Sequence, residues 1–179
     1  MSIFTNSMKS APAEAAQYTS AVLGLLADQK PLDVLSRTPA KVKRSLARLT
    51  PRQLARPEAP GKWSVKQVVQ HLADSELVWG WRLRLVLSHD RPTITGYDQD
   101  AWAARLGYDK VDVRRALEDF TVLRAANLRV LKRATPADLK RVGVHSERGE
   151  ESVEHWMKLY AGHDILHLNQ IERIRRAVQ

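Results

Sequence analysis

From Glu151 to Ala177 apolar side chains recur at helical spacing, and two histidines fall inside the same stripe. At about 100° per residue, Val153, Trp156, Tyr160, Ile171 and Ile174 all lie within roughly 80° of His163. His167 is about 40° from His163 on the same wheel. A strand could not hold these residues on one face, because its side chains alternate with period two. The segment predicts a long amphipathic helix that points both imidazoles into the interior of a helical protein.

The rest of the chain reads the same way. A first helix is expected from about Pro12 to Asp28, with Ala16, Val22, Leu23 and Leu26 as its stripe, and Pro31 breaks it. A shorter stretch follows over Pro39 to Leu49. Pro51, Pro57, Pro60 and Gly61 mark residues 50–63 as a long connection. Ser64 with Gln67 three residues on is a capping-box pattern, and it opens a helix from Val65 to Leu87 that carries His71. Residues 88–97 read as a loop, Asp98–Arg105 as a short helix and Val111–Lys132 as a long one, ended by Thr135-Pro136. Residues 141–149 look irregular, in the manner of a small hairpin. The expectation is an all-α four-helix bundle with short extra helices and long connections. Residues 1–10 are expected to form a flexible tail and 11–179 a single domain.

Composition narrows the chemistry. The chain has no cysteine, so a disulfide, a thiolate metal site and a cysteine nucleophile are excluded; any thiol chemistry needs a thiol brought by a small molecule. The N-terminal residues lack the apolar core of a signal peptide, and no stretch approaches the ~18 apolar residues of a membrane span. A soluble, cytoplasmic protein is expected. The net charge of +9 raises the question of nucleic acid. The basic residues are spread over several helices and are not interleaved with aromatics, which favours solvated helix faces over a binding groove.

His163 and His167 share one helix face, the geometry by which two imidazoles of an H-E-x-x-H helix hold zinc. Spacing alone is weak, since about one in six chains of this histidine content has such a pair by chance. Burial strengthens it: each imidazole carries a polar nitrogen that needs a partner in the core, and a shared metal satisfies both. Two core histidines bonded to buried carbonyls or carboxylates are the alternative. His71 sits at the edge of its stripe, and on residue pattern alone it is an ordinary polar residue. His89, His145 and His155 fall in loops or off the stripe and are left out of the site.

Two segments, GKWSVKQVVQHLADSE at 61–76 and AGHDILHLNQIERIRRA at 161–177, resemble the DinB/YfiT-like superfamily of small four-helix-bundle metalloproteins. YDQDAW at 97–102, FTVLRAANLRVL at 120–131 and VHSERGEESVEHWMKL at 144–159 fit the same pattern, and the likeness runs from about residue 35 to the C-terminus. The resemblance implies one divalent metal ion held by His71, His163 and His167. Zinc or nickel is the first expectation, with iron, cobalt or manganese also compatible with three imidazoles. It further implies a homodimer and a small-molecule substrate, as in family members that are thiol-dependent S-transferases, metal-dependent hydrolases or isomerases. It does not imply DNA binding.

Three neutral imidazoles leave open positions on an ion, which favours catalysis or ligand binding over a closed structural site. Asp164 and Glu76 are candidates to orient an imidazole through its far nitrogen. The plain alternatives are a helix-edge salt bridge for Asp164 and a surface pair with an arginine such as Arg82 for Glu76. Tyr160 is core or reaches the site with its hydroxyl, Trp63 packs as a hydrophobic staple, and Arg124 is a salt-bridged arginine or a contact for an anionic substrate. Three functions stay open: a metal-dependent enzyme activating water or a low-molecular-weight thiol, a non-enzymatic metal- or ligand-binding stress-response bundle, and a basic nucleic-acid-associated protein.

Overall fold

The computed structural model describes residues 12–179, with side-chain surroundings from Ala15 onward; the segment 1–10, expected as a tail, lies outside the described residues. In chain order the elements are α1 (Pro12–Leu26), α2 (Pro31–Leu46), α3 (Pro51–Ala55), α4 (Val65–Ser88), β1 (Thr93–Ile94) and α5 (Gln99–Arg105). A single 3-10 turn at Tyr108–Lys110 leads into α6 (Val113–Leu131), α7 (Pro136–Leu139), β2 (Val142–His145), β3 (Gly149–Ser152) and α8 (Val153–Val178).

Local chemistry sets most of these boundaries. At the start of α4 the Ser64 backbone N–H donates to Gln67 Oε1 at 2.8 Å, the expected capping box. Two more boxes, Thr50 with Gln53 and Thr135 with Asp138, open α3 and α7. The long connection at 50–63 therefore contains a helical turn. Ser152 Oγ accepts the His155 N–H and caps α8.

The expected break ahead of Pro31 is present, between Leu26 and Pro31, but the second helix starts at Pro31 rather than Pro39. Pro31 opens α2 at its first turn, where the missing N–H is no loss. The helix then runs straight through Pro39. That proline leaves the Leu35 carbonyl without its usual donor four residues on, and Arg124 Nη1 of α6 donates to it instead at 2.8 Å. A tertiary contact satisfies what the local rule forbids.

Helices α2, α4, α6 and α8 pack in a ring, each against two neighbours, and α1 lies along the outer side of α8. Gly162 permits that approach: a Cβ there would stand 2.1 Å from the Val22 backbone oxygen of α1. The all-α expectation needs a small amendment, because residues 93–94 and 142–152 form a three-stranded sheet. β1 pairs parallel to β2, with Ile94 opposite His145, and β2 pairs antiparallel to β3. The sheet seats closely, with a Cβ on Gly143 meeting Ile94 and Val86 at 2.8 Å.

The interior is layered along the bundle axis. One apolar cluster gathers Leu35, Trp79, Leu83, Val86, Leu131, Val153 and Trp156. A second gathers Val42, Val65, Val68, Leu72, Phe120, Ile171 and Ile174. On every ring helix a buried polar residue falls between the two, Thr38 on α2, Glu76 on α4, Arg124 and Asn127 on α6, Asp164 and His167 on α8, and His71 adjoins them beside Leu72 of the second cluster. Polar groups buried at such depth need partners. That layer holds the site.

Candidate metal centre

His71 stands on the second turn of α4, and His163 and His167 stand one turn apart in mid α8. The packing of α4 on α8 brings the three rings together. His163 Nε2 lies 3.2 Å from His71 Nε2 and 3.1 Å from His167 Nε2. One ligand atom from each histidine lies within 4.8 Å of the others. Around an ion with metal–nitrogen bonds near 2.0–2.1 Å, adjacent nitrogens are about 2.9–3.4 Å apart from octahedral to tetrahedral geometry. Both observed edges fall inside that range.

Protonation points the same way. Burial, then the neighbouring His167, drives His71 well below the ordinary histidine range. His163 is driven down by burial and by His167, His71 and Arg124. Burial lowers His167 to about 4, against the raising influence of Gln170 and Asp164. All three are neutral near pH 7. His167 Nδ1 donates to Gln170 Oε1 at 2.7 Å, which leaves the lone pair of its Nε2 facing the other two rings. Neutral imidazoles can each offer one such lone pair, and a cation among the three rings would accept them. The donor set is compatible with a divalent metal ion.

Gln170 was not singled out by sequence reasoning, although it is the Q of the H-x-x-Q stretch. It makes the contact that had been expected of a carboxylate. His71 Nδ1 is buried without a hydrogen-bond partner among the described residues, and the Trp63 ring packs beside it with centroids 5.1 Å apart. Trp63 also packs on the second apolar cluster, the staple position expected of it.

Glu76 and Asp164 turn away from the imidazoles and bind Arg124. Arg124 Nε donates to Glu76 Oε2 at 2.8 Å; Nη1 and Nη2 grip Asp164 Oδ2 and Oδ1 at 2.6 and 2.9 Å. Asn127 Nδ2 donates to Glu76 Oε1 at 2.8 Å. Glu76 is therefore neither on the surface nor paired with Arg82, and Arg124 is fully engaged rather than free for a substrate. Burial pushes the Glu76 carboxyl up, with Arg124 and Asn127 pulling against it.

A cavity of about 90 Å³ opens over His71 and His163, lined also by Ser75, Tyr18, Tyr97, Tyr160, Arg82 and His145. Ser75 Oγ is 3.4 Å from His71 Nε2 and 3.0 Å from the Tyr97 hydroxyl. Tyr160 is half-buried, stacked on Trp79 at 4.4 Å, with its ring centroid 6.1 Å from that of His163. Burial raises the Tyr160 and Tyr18 hydroxyls above the ordinary tyrosine range, so both remain protonated donors.

A bundle whose polar mid-layer gathers three neutral imidazoles beside a small polar cavity has a donor set compatible with a divalent metal ion. Residues 35–171 match the model of the DinB superfamily, and the chain belongs to that family. It is 32% identical over 146 residues to YfiT of Bacillus subtilis, named a candidate metal-dependent hydrolase, covering 81% of this chain and 82% of the relative. A similarly named protein of Bacillus mycoides is 32% identical over 137 residues, 76% of this chain and 79% of its own. The solved structure of Bacillus subtilis YfiT, described as a four-helix bundle of unusual topology, matches with a TM-score of 0.77 at 31% identity, over 82% of this chain and 84% of that one.

Proposed function

We propose that this protein is a metal-dependent enzyme in which His71, His163 and His167 hold one divalent ion through Nε2 and the adjoining cavity receives a small-molecule substrate. The observation that carries the reading is the convergence of three Nε2 atoms, with edges of 3.1 and 3.2 Å, two of them on histidines that line a cavity. When bound, zinc, nickel or a similar ion supplies Lewis acidity, making an oxygen or sulfur nucleophile available near neutral pH. The chain's own residues do the rest. Gln170 fixes the tautomer and tilt of His167. Trp63 closes one side of His71, and Ser75 with Tyr97 offers a hydroxyl pair on the other.

The nucleophile in this reading is water or a low-molecular-weight thiol, giving a hydrolase or an S-transferase. With no cysteine in the chain, such a thiol arrives as a co-substrate. A cytoplasmic homodimer belongs to the same reading; the family resemblance supports the dimer and the cysteine-free chain is compatible with the location.

The test is turnover with protein loaded with zinc or nickel, using a chromogenic ester for hydrolysis and small thiols with a halogenated aromatic electrophile for transfer. Turnover that EDTA abolishes and His163→Ala lacks is expected for one of the two. Metal-replete protein without metal-dependent turnover in either assay overturns the enzymatic reading.

A further inference from the structure

The cavity lined by His71 and His163 is also lined by two buried residues with donor nitrogens that no described residue accepts from, Arg82 and His145. Arg82 of α4 is only 8% exposed and forms no ion pair among the described residues. Its Nη2 donates to the Thr95 carbonyl, and its other guanidinium nitrogens make no hydrogen bond to the described residues. The other arginines lining or flanking the site are neutralised: buried Arg124 by Glu76 and Asp164, half-buried Arg148 by both oxygens of Glu151. A largely buried guanidinium without a counter-charge is costly unless something in the cavity it lines pairs with it.

His145 adds the second observation. The parallel pairing of β2 with β1 buries it to 3% exposure, although sequence pattern alone left it in a loop outside the site. Its Nδ1 accepts the Glu147 backbone N–H at 3.2 Å, so in the neutral ring the proton sits on Nε2. That Nε2 is buried and has no partner among the described residues. Burial, with Arg148 and Arg82 nearby, lowers His145 to about 4, which keeps the ring neutral and Nε2 a donor.

Arg82 and His145 line the same cavity as His71 and His163. Glu147 is the lining carboxylate; its Oε1 sits against the Gly96 backbone, 2.7 Å from where a Cβ would be, and it forms no ion pair with Arg82. Three neutral ligands would also leave the charge of a bound cation uncompensated. The space, about 90 Å³, suits a small polar group rather than a long chain.

We propose that this cavity binds a substrate through an oxyanion, a carboxylate or a phosphate, held by the Arg82 guanidinium and the His145 Nε2–H. The assignment rests on the cavity being the substrate site of the proposed enzyme, but the binding itself is built from Arg82 and His145 and needs no metal. Arg82 is thus the anion-facing arginine, a role for which Arg124 was the sequence candidate.

Calorimetric titration with acetate, inorganic phosphate and uncharged acetamide tests this, on protein as purified and after EDTA, with metal content measured on each sample. Acetate or phosphate is expected to bind in both samples and acetamide in neither; whichever anion binds more tightly identifies the oxyanion. Arg82→Gln is expected to weaken binding by about tenfold or more, and Arg82→Lys by less. His145→Leu, away from the three histidines, is expected to weaken it severalfold and carries the test should Arg82→Gln fail to fold by circular dichroism. No binding of either anion up to about 50 mM overturns the proposal. Equal binding of acetamide, or affinity unchanged in the folded variants, does so as well. Binding that depends on Arg82 in protein that takes up no zinc or nickel on reconstitution upholds this proposal while removing the metal reading. Metal at full occupancy without anion binding does the reverse.

Discussion

Replacing Arg124 by Met removes the guanidinium that the polar mid-layer is built around. The side chain is 2% exposed and donates four hydrogen bonds, to Glu76, to both oxygens of Asp164 and to the Leu35 carbonyl that Pro39 leaves unpaired. In Arg124→Met the Asp164 carboxylate, 0% exposed, keeps no side-chain donor among the described residues. Breaking a buried ion pair from one side costs about 3–5 kcal/mol, a large part of the roughly 5–15 kcal/mol typical of a whole domain. With a urea m-value of about 2–3 kcal/mol/M, the midpoint should fall by about 1–2 M in metal-free protein at pH 7. Burial already pushes the Glu76 carboxyl up, and loss of Arg124 pushes it higher. A carboxyl raised in the folded state stabilises it at low pH and loses that contribution as pH rises, so the deficit should shrink from pH 8 towards pH 6. The triple variant Arg124→Met, Glu76→Leu, Asp164→Leu should be more stable than Arg124→Met alone, since it removes the orphaned charges together. A loss below about 1 kcal/mol, or a triple variant no better than the single one, would refute charge compensation as what holds this layer.

Other consequences are local. Gln170→Ala frees the His167 ring and should weaken metal binding by about 10–100-fold in a competition titration, with little change in metal-free stability. Gly162→Ala places a Cβ 2.1 Å from the Val22 oxygen and should push α1 off α8, seen as lost amide-exchange protection in α1 and a lower Tm. Burial raises the Glu151 carboxyl, but hydrogen bonds from His155, Arg148 and Trp156 outweigh this and hold it well below the usual carboxylate range. Its stabilisation is complete above an unfolded-state pKa of about 4.3 and fades as pH falls through the folded value. Glu151→Gln should therefore cost stability at pH 7 and progressively less in melts taken towards about pH 3.

The parts of this molecule readable from sequence are those set by local periodicity. Helix phase put His163 and His167 on an inward face, and Ser64 with Gln67 marked where α4 starts. His71 was recognisable only through the family pattern, because its own wheel position is ambiguous. Pro39 misled because its remedy, Arg124, is a distant residue on another helix. Glu76, Arg124 and Asp164 form one cluster only when α4, α6 and α8 align at the same height, and no spacing along the chain encodes that. His145 became part of the cavity through a two-residue parallel pairing, too short to leave an alternating pattern.

The central claim is that His71, His163 and His167 act together as one ion site. Metal content of untagged protein after reconstitution with zinc or nickel, measured beside His71→Ala, His163→Ala and His167→Ala, tests it most directly. About one ion per folded chain is predicted for wild type, with each substitution reducing occupancy well below that under the same washing. Wild-type protein that retains almost no metal, or variants that retain as much as wild type while remaining folded, would contradict it.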